Sequence, residues 1–481
     1  MWREIATNLL DTRNKHIKYK GRNGNRKQWA TKAVKRKRKA KKEAWQKYNN
    51  NGKTNELYVK YQTRLKQSIA ENRKAKGNFE TKLADNIKQD SKSFYAYVNA
   101  KKKSSNKVGP IRDTDNNLID SNKQTADCLN NYFSSVFVEE DKMNIPSPVE
   151  FFTGDTSEPL VDIEINEDVV LNKLCKLDTG KSQGPDQIHG KLLFELRYEL
   201  AEPLSKLFKL SLDTGNIPQD FRDAIVTPLF KKGSKGKVEN YRPVSLTSIV
   251  GKLLESIIKD QIVQFLELNQ LLRDSQHGFM SGRSCLTNML DFLETVIKDL
   301  DVGNSVDIVY LDFAKAFDKV PHGRLIRKLE AHGIRGKLLK WIESWLHNRR
   351  QKVKIEDEYS EWIKVTSGVP QGSVLGPILF LIYINDLDTD VIAKLSKFAD
   401  DTKAARVVNN QDDANEMKSQ LSKLELWSDK WLMKFNEDKC HVLHLGNKNN
   451  NYNYSLNDKP LENIQVERDL GILVDAKLKF S

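Results

Sequence analysis

A strand-like run that ends in a carboxylate constrains this chain more than any other feature. VDIVYLDF (306–313) is β-branched and aromatic, the composition of a buried strand, and Asp312 stands at its end. A charged carboxylate in apolar surroundings is costly unless it is paired or binds a cation. A second acidic feature lies 88 residues further on: LSKFADDTKAARVV (395–408) sets Asp400 and Asp401 between two short strand-like runs. That pattern predicts a tight hairpin with the acids at its tip. Adjacent like charges repel, and a divalent cation is the common reason to tolerate them. A lone Asp-Asp pair is also an ordinary turn, so its weight comes from its surroundings.

Between the two acidic features stands TSGVPQGSVLGPILFLIYINDL (366–387). Three glycines and two prolines within ten residues prescribe a special backbone path before an apolar helix begins. Gly372 lets another backbone or a base approach closely, and Gln371 offers a flat amide that suits a template base. Upstream, residues 322–351 show helical periodicity interrupted at Gly333 and Gly336. His322, His332 and His347 there read as packing or surface residues.

Charge divides the chain. The net charge is +14, yet residues 1–50 carry 17 Lys/Arg against 3 Asp/Glu and residues 51–110 carry 14 against 5, so the remainder sums to −9. Residues 25–103 read as helix with few breakers and only a thin apolar stripe (Trp29, Val34, Trp45, Tyr48). Like charges at helical spacing repel, and a phosphate backbone relieves that repulsion. The core KRKRKAKK (35–42) also suits a nuclear-localisation patch. Residues 1–110 are therefore expected to be a basic helical nucleic-acid-binding extension, and 111–160, rich in turn clusters, a connector. From residue 161 helical and strand-like segments alternate in the manner of an α+β domain.

The longest apolar run, GPILFLIYI (376–384), is too short to span a bilayer, and MWREIATNLLDTRNK lacks the apolar stretch of a secretory signal. No membrane partner is expected, and the expected location is the nucleus and cytoplasm as a ribonucleoprotein. Four scattered cysteines suggest neither a disulfide framework nor a zinc ribbon. Cys440, His441 and His444 read as structural.

The order YLDFAKAFDKV, SGVPQGSVLGPILF, FADD resembles the palm motifs of reverse transcriptases. TPLFKKG (227–233) with NYRPVSL (240–246) resembles the fingers motifs of that family. QHGFMSGRS (276–284) resembles the segment between fingers and palm. WLMKFNEDKCHVLHLG (431–446) is similar to the motif after the catalytic hairpin, and ERDLGILVD (467–475) to the primer grip. KSQGPDQIHGKLL (181–193) resembles the extra N-terminal motif of non-LTR (LINE-type) retrotransposons, most of all those of Jockey type.

The resemblance implies an α+β right-hand polymerase. Fingers would span 161–300, palm 301–446, and primer grip with the start of a truncated, largely missing thumb 447–481, around a core domain of about 211–475. It implies that Asp312, Asp400 and Asp401 hold two Mg2+ ions, with Mn2+ as a substitute, Asp401 being the less closely bound ligand. Lys231 (with Lys232 as the alternative) and Arg242 match residues that grip a triphosphate. Phe317 matches the steric gate against a 2′-hydroxyl. Lys439 matches the lysine that protonates departing pyrophosphate. Gln371 and Gly372 belong to the nucleotide and template side of the site. Asp318 is expected to orient nearby groups without binding metal. The implied partners are an RNA template, a DNA primer and deoxynucleoside triphosphates. Two rivals fit the same residues: an intron maturase or domesticated host enzyme, and an RNA-binding remnant that cannot extend a primer.

Overall fold

Good helix formers dominate the basic N-terminal segment, and they form helices. The computed structural model describes residues 1–17, 29–101, 108–112, 117–154 and 158–478. Two compact units emerge, one of residues 11–107 and one of residues 1–10 with 108–481. In the first, the helix Lys32–Asn50 starts at Thr31, whose hydroxyl accepts from the Val34 amide at 3.3 Å. A turn through Gly52 and Lys53, both at positive φ, reverses the chain into the helix Asn55–Asp85. A further helix, Ser91–Lys101, follows. The expected helical stretch is thus broken at the NNNGKT turn, and its ends, 25–28 and 102–103, lie outside the described residues. Among the described residues of this unit beyond the first helix only Val34, Ser68 and Ala75 are buried, the thin interior that so charged a sequence allows.

The first ten residues do not follow the charge boundary drawn from sequence. They open the helix Trp2–His16, and Trp2 is buried against Phe221, with ring centroids 4.8 Å apart. The indole N–H donates to Asp220 at 2.8 Å. Nor is 111–160 merely a connector. It contains the helix Asn122–Ser135, whose Ala126, Leu129 and Phe133 pack on Val226, Tyr241 and Val353. Glu140 accepts from the amides of Gly323 (2.7 Å) and Arg324 (2.9 Å), capping the helix His322–Ala331.

Among the described residues, nine strands carry the larger unit up to residue 445: β1 (Ala224–Phe230), β2 (Tyr241–Leu246), β3 (Val306–Leu311), β4 (Arg350–Ile355), β5 (Glu358–Tyr359), β6 (Ile363–Lys364), β7 (Lys394–Phe398), β8 (Asp401–Val407) and β9 (His441–Leu445). The first sheet runs β2-β1-β4-β5, with β6 also on β4; β1 and β4 are parallel and the other pairs antiparallel. The second runs Glu462–Ile464, β9, β3, β8, β7, and only the outer Glu462–Ile464 strand is parallel to its neighbour. β3 is central and almost wholly buried, as its Val/Ile/Leu-rich run requires. On one face Val309 and Leu311 join a large core with the helices Gly336–Leu346 and Gly376–Tyr383; on the other Val306 and Ile308 meet Phe292 and Val296 of the helix Cys285–Asp301. These elements form an α+β fold. Among the described residues no helix is long and apolar enough to cross a membrane.

Replacing Trp2 by alanine should lower the stability of the larger unit by about 3–5 kcal/mol, the usual cost of emptying a buried aromatic site. Urea denaturation followed by far-UV circular dichroism reads this; an unchanged midpoint would show that the N-terminal helix is not part of that unit's core.

Candidate active site

The register of two strands brings the separated acids to one place. β3 pairs with β8 so that Leu311 lies opposite Thr402, which puts Asp312 and Asp401 one step past the end of the same ladder. Directly opposed residues of an antiparallel pair have Cα atoms about 4.5–5.5 Å apart. β7 closes on β8 with Phe398 opposite Asp401, so Ala399 and Asp400 form the tip. Asp401 is therefore the first residue of the returning strand, a refinement of the expected placement of both acids at the tip.

This hairpin is buttressed by a segment whose positioning role the sequence did not show. Ala399 has φ +57°, a conformation that costs a residue with a Cβ. Gln276, buried, accepts from the Ala399 amide at 3.0 Å and the Gly278 amide at 2.8 Å. His277 donates to the Lys397 carbonyl (2.8 Å) and Lys397 to that of Ser275 (2.7 Å), so this stretch runs beside β7 as an extra edge. A Cβ on Gly278 would lie 2.3 Å from the Ala399 nitrogen, so glycine is required for the close approach. Lys403 on β8 is buried and paired with Asp469 in the hairpin Val466–Asp469/Ile472–Asp475, which ties the segment resembling a primer grip to the strand that begins with Asp401.

Electrostatics follow from this crowding. Burial first, and then the neighbouring Asp312, raise the Asp400 carboxyl above its ordinary value. Although Asp401 reaches solvent, the protein around it and then Asp400 and Asp312 push its pKa up to about 6. Lys439 donates to both Asp312 oxygens, at 2.8 and 3.0 Å. Burial lowers the Lys231 ammonium, followed by the nearby cations Lys439 and Arg242, against an opposing pull from Asp312. Arg242 is exposed on β2 opposite Leu229, and Lys231 follows β1. Of Lys231 and Lys232, Lys231 is the one whose charge is felt at Asp400 and Asp401.

The glycine- and proline-rich loop bridges β2 and the segment 317–320 that follows β3. The Gln371 carbonyl accepts from the Ser245 amide of β2 at 2.8 Å. Gly372 has φ +117°, and a Cβ there would meet the Ser245 carbonyl at 2.6 Å. The close approach expected of Gly372 is thus to backbone. The Gln371 side chain is not free for a template base: its amide donates to both oxygens of Asp318, at 3.1 and 3.2 Å. Asp318 itself is largely enclosed, and burial raises its pKa to about 6. Phe317 stacks on Phe380 (4.7 Å) and lines a cleft with Pro243, Ser245 and Gln371.

The donor chemistry of Asp312, Asp400 and Asp401 fits a hard divalent cation, and their shared repulsion is what a cation would relieve. The Lys439 ammonium already supplies positive charge at Asp312. The full convergence expected of the three carboxylates is not reached, however: among the described residues no three His, Cys, Asp or Glu side chains stand close enough together to hold an ion. Nor do Cys440, His441 and His444 combine. The Cys440 thiol is buried and pushed up to about 11, and His444 contacts Asp307 (2.6 Å) and Asn463 (3.2 Å).

Residues 230–465 match the family model described as reverse transcriptase (RNA-dependent DNA polymerase). The chain is 26% identical over 336 residues to the RNA-directed DNA polymerase from mobile element jockey of Drosophila melanogaster, covering 67% of this chain and 36% of that protein. It is 26% identical over 389 residues to the probable RNA-directed DNA polymerase from transposon BS of the same organism, covering 75% and 41%. This chain thus spans about two fifths of the length of these relatives. A truncated telomerase from Candida tropicalis overlays with a TM-score of 0.39 at 15% identity, covering 59% of this chain and 60% of that one, too loose a likeness to argue from.

The raised pKa of Asp318 means that the folded chain holds this proton more tightly than the unfolded chain does. Its contribution to stability is therefore fullest at acid pH and is lost as pH climbs from about 4 through about 6. Thermal midpoints of the native chain and Asp318→Asn, measured between about pH 4 and pH 7, should diverge in favour of the variant as pH rises. Parallel curves would mean that the carboxyl is effectively solvated.

Proposed function

We propose that this chain, which carries a reverse transcriptase domain of the Jockey-like, non-LTR kind, joins deoxynucleotides to a primer 3′-hydroxyl on an RNA template by two-metal chemistry. The observation that carries the reading is the strand register that sets Asp312 opposite Asp401, with Asp400 next to it at the β7–β8 turn, beside Lys439 and within the field of Lys231. The carboxylates would supply oxygen ligands for two Mg2+ ions, for which Mn2+ would substitute, with Asp312 and Asp400 as the principal holders. Bound there, the ions would supply Lewis-acid stabilisation of the attacking and leaving oxygens.

The chain's own groups do the rest. Lys231 and Arg242, set on the β1–β2 hairpin, grip the triphosphate by charge-assisted contacts. Lys439, now paired with Asp312, gives a proton to the departing pyrophosphate. Phe317 lines the cleft where a 2′-hydroxyl would sit, and its stack on Phe380 keeps the ring from yielding. Gln371 acts at one remove, holding Asp318 and, through its carbonyl, strand β2. Gly372 permits that clasp. The basic helical unit of residues 11–107 is a binding arm for the RNA strand. In this reading β1 and β2 belong to the fingers, and β3, β7, β8 and β9 to the palm.

Extension of a DNA primer on an RNA template with magnesium tests the assignment. Asp312→Asn and Asp400→Asn should each cut the rate by at least about a hundredfold. Activity surviving both changes would sink the two-metal reading. Failure of the native chain to extend a primer it binds would leave an RNA-binding remnant. Phe317→Ala should raise ribonucleotide incorporation relative to deoxynucleotide; unchanged sugar discrimination would make the ring a packing residue alone.

A further inference from the structure

Four aromatic rings gather at the closed end of the hairpin formed by the helices Lys32–Asn50 and Asn55–Asp85. Trp45 lies 5.6 Å from Tyr48 and 4.7 Å from Tyr61, and Tyr58 lies 5.4 Å from Tyr48 and 6.4 Å from Tyr61, all between ring centroids. Rings at helical spacing are ordinarily sunk into a core, but Trp45 is 41% and Tyr58 40% exposed. The hairpin's buried residues, Val34, Ser68 and Ala75, lie toward its other end. Gln62 donates to the Tyr58 hydroxyl at 2.8 Å and so steadies an exposed ring.

The charge around the rings indicates what covers them. Residues 11–107 hold 30 Lys/Arg against 7 Asp/Glu, a balance of +23. Lys42, Lys47 and Lys53 flank the cluster, are exposed, and have no ion-pair partner among the described residues. A lipid surface would be met by a broad apolar face, which this polar hairpin lacks. Exposed rings set among unpaired lysines match instead a strand whose bases are free to stack and whose phosphates need neutralising.

We propose that the tip of this hairpin is a stacking platform for unpaired bases of a nucleic-acid strand, with Trp45 and Tyr58 as the principal rings and Lys42, Lys47 and Lys53 as the phosphate contacts. Base stacking there does not depend on the chemistry of the carboxylate centre. It predicts that the arm distinguishes single strands from duplexes, which charge alone does not.

The test uses the full chain with Trp45→Leu and Tyr58→Leu, singly and together. Leucine keeps apolar bulk and helix propensity but removes the π-face. Fluorescence anisotropy would be measured with a labelled oligouridylate, the matching oligothymidylate and an RNA duplex of equal length, over a salt series. Affinity for the single strands should fall on the order of tenfold for each stacked base lost, with duplex affinity and salt slope unchanged. The two single-stranded arms show whether RNA or DNA is preferred. Equal weakening for all three probes, or for none, would overturn the platform. In the unmodified chain, ultraviolet crosslinking of the oligouridylate should map to the peptides holding Trp45 and Tyr58; crosslinks confined to other segments would overturn it independently of any variant's folding.

Discussion

The antiparallel pairing of β3 with β8 is the interaction on which the rest of the candidate site depends. Its register, Val306 opposite Val407 through Leu311 opposite Thr402, buries an apolar strand on both faces. The same register delivers Asp312 to the mouth of the β7–β8 hairpin. A slip of one residue would turn every side chain to the other face, taking Val309 and Leu311 out of one core and Val306 and Ile308 out of the other, so the packing of both cores enforces the pairing that sets Asp312 opposite Asp401. The energy that holds the carboxylates near one another is hydrophobic, drawn from residues that take no part in chemistry.

Burying these carboxylates, and then setting like charges beside them, has a cost, visible as the raised pKa values of Asp400 and Asp401. The surroundings meet it from two sides. Lys439 balances Asp312 directly, and Lys231 brings a cation from the other sheet. The hairpin is also held mechanically: Gln276 binds the strained Ala399 amide, and buried Lys403 joins β8 to the Asp469 hairpin. An Asp–Asp hairpin with no such support would splay or fill with water.

The loop 366–372 joins β2 to the short segment 317–320 that follows β3. Gly368 lies against the carbonyls of Phe317 and Asp318, and Gly372 against that of Ser245, so neither tolerates a side chain. Through Gln371 the loop joins Asp318 and β2. The loop therefore sets the distance between the ring of Phe317 and the strand that carries Arg242, the span in which a nucleotide would lie under the proposed reading.

What was legible from sequence is local and periodic. The strand at 306–311, the helices broken at Gly333 and Gly336, the apolar helix after the PQG turn and the acid-bearing hairpin all follow from pattern, because backbone hydrogen bonding and side-chain burial act over a few residues. Assignment of roles to Asp312, Phe317 or Lys439 came from motif order, a resemblance and not a physical reading. Tertiary structure alone decided the rest. It drew Trp2 and the helix Asn122–Ser135 out of apparently peripheral segments into the larger unit, gave Gln276, Gly278 and Lys403 their positions behind the hairpin, and turned Gln371 toward Asp318. These are contacts between residues tens to hundreds of positions apart. Their partners are chosen by how elements pack, and a single chain's local pattern carries no record of that choice.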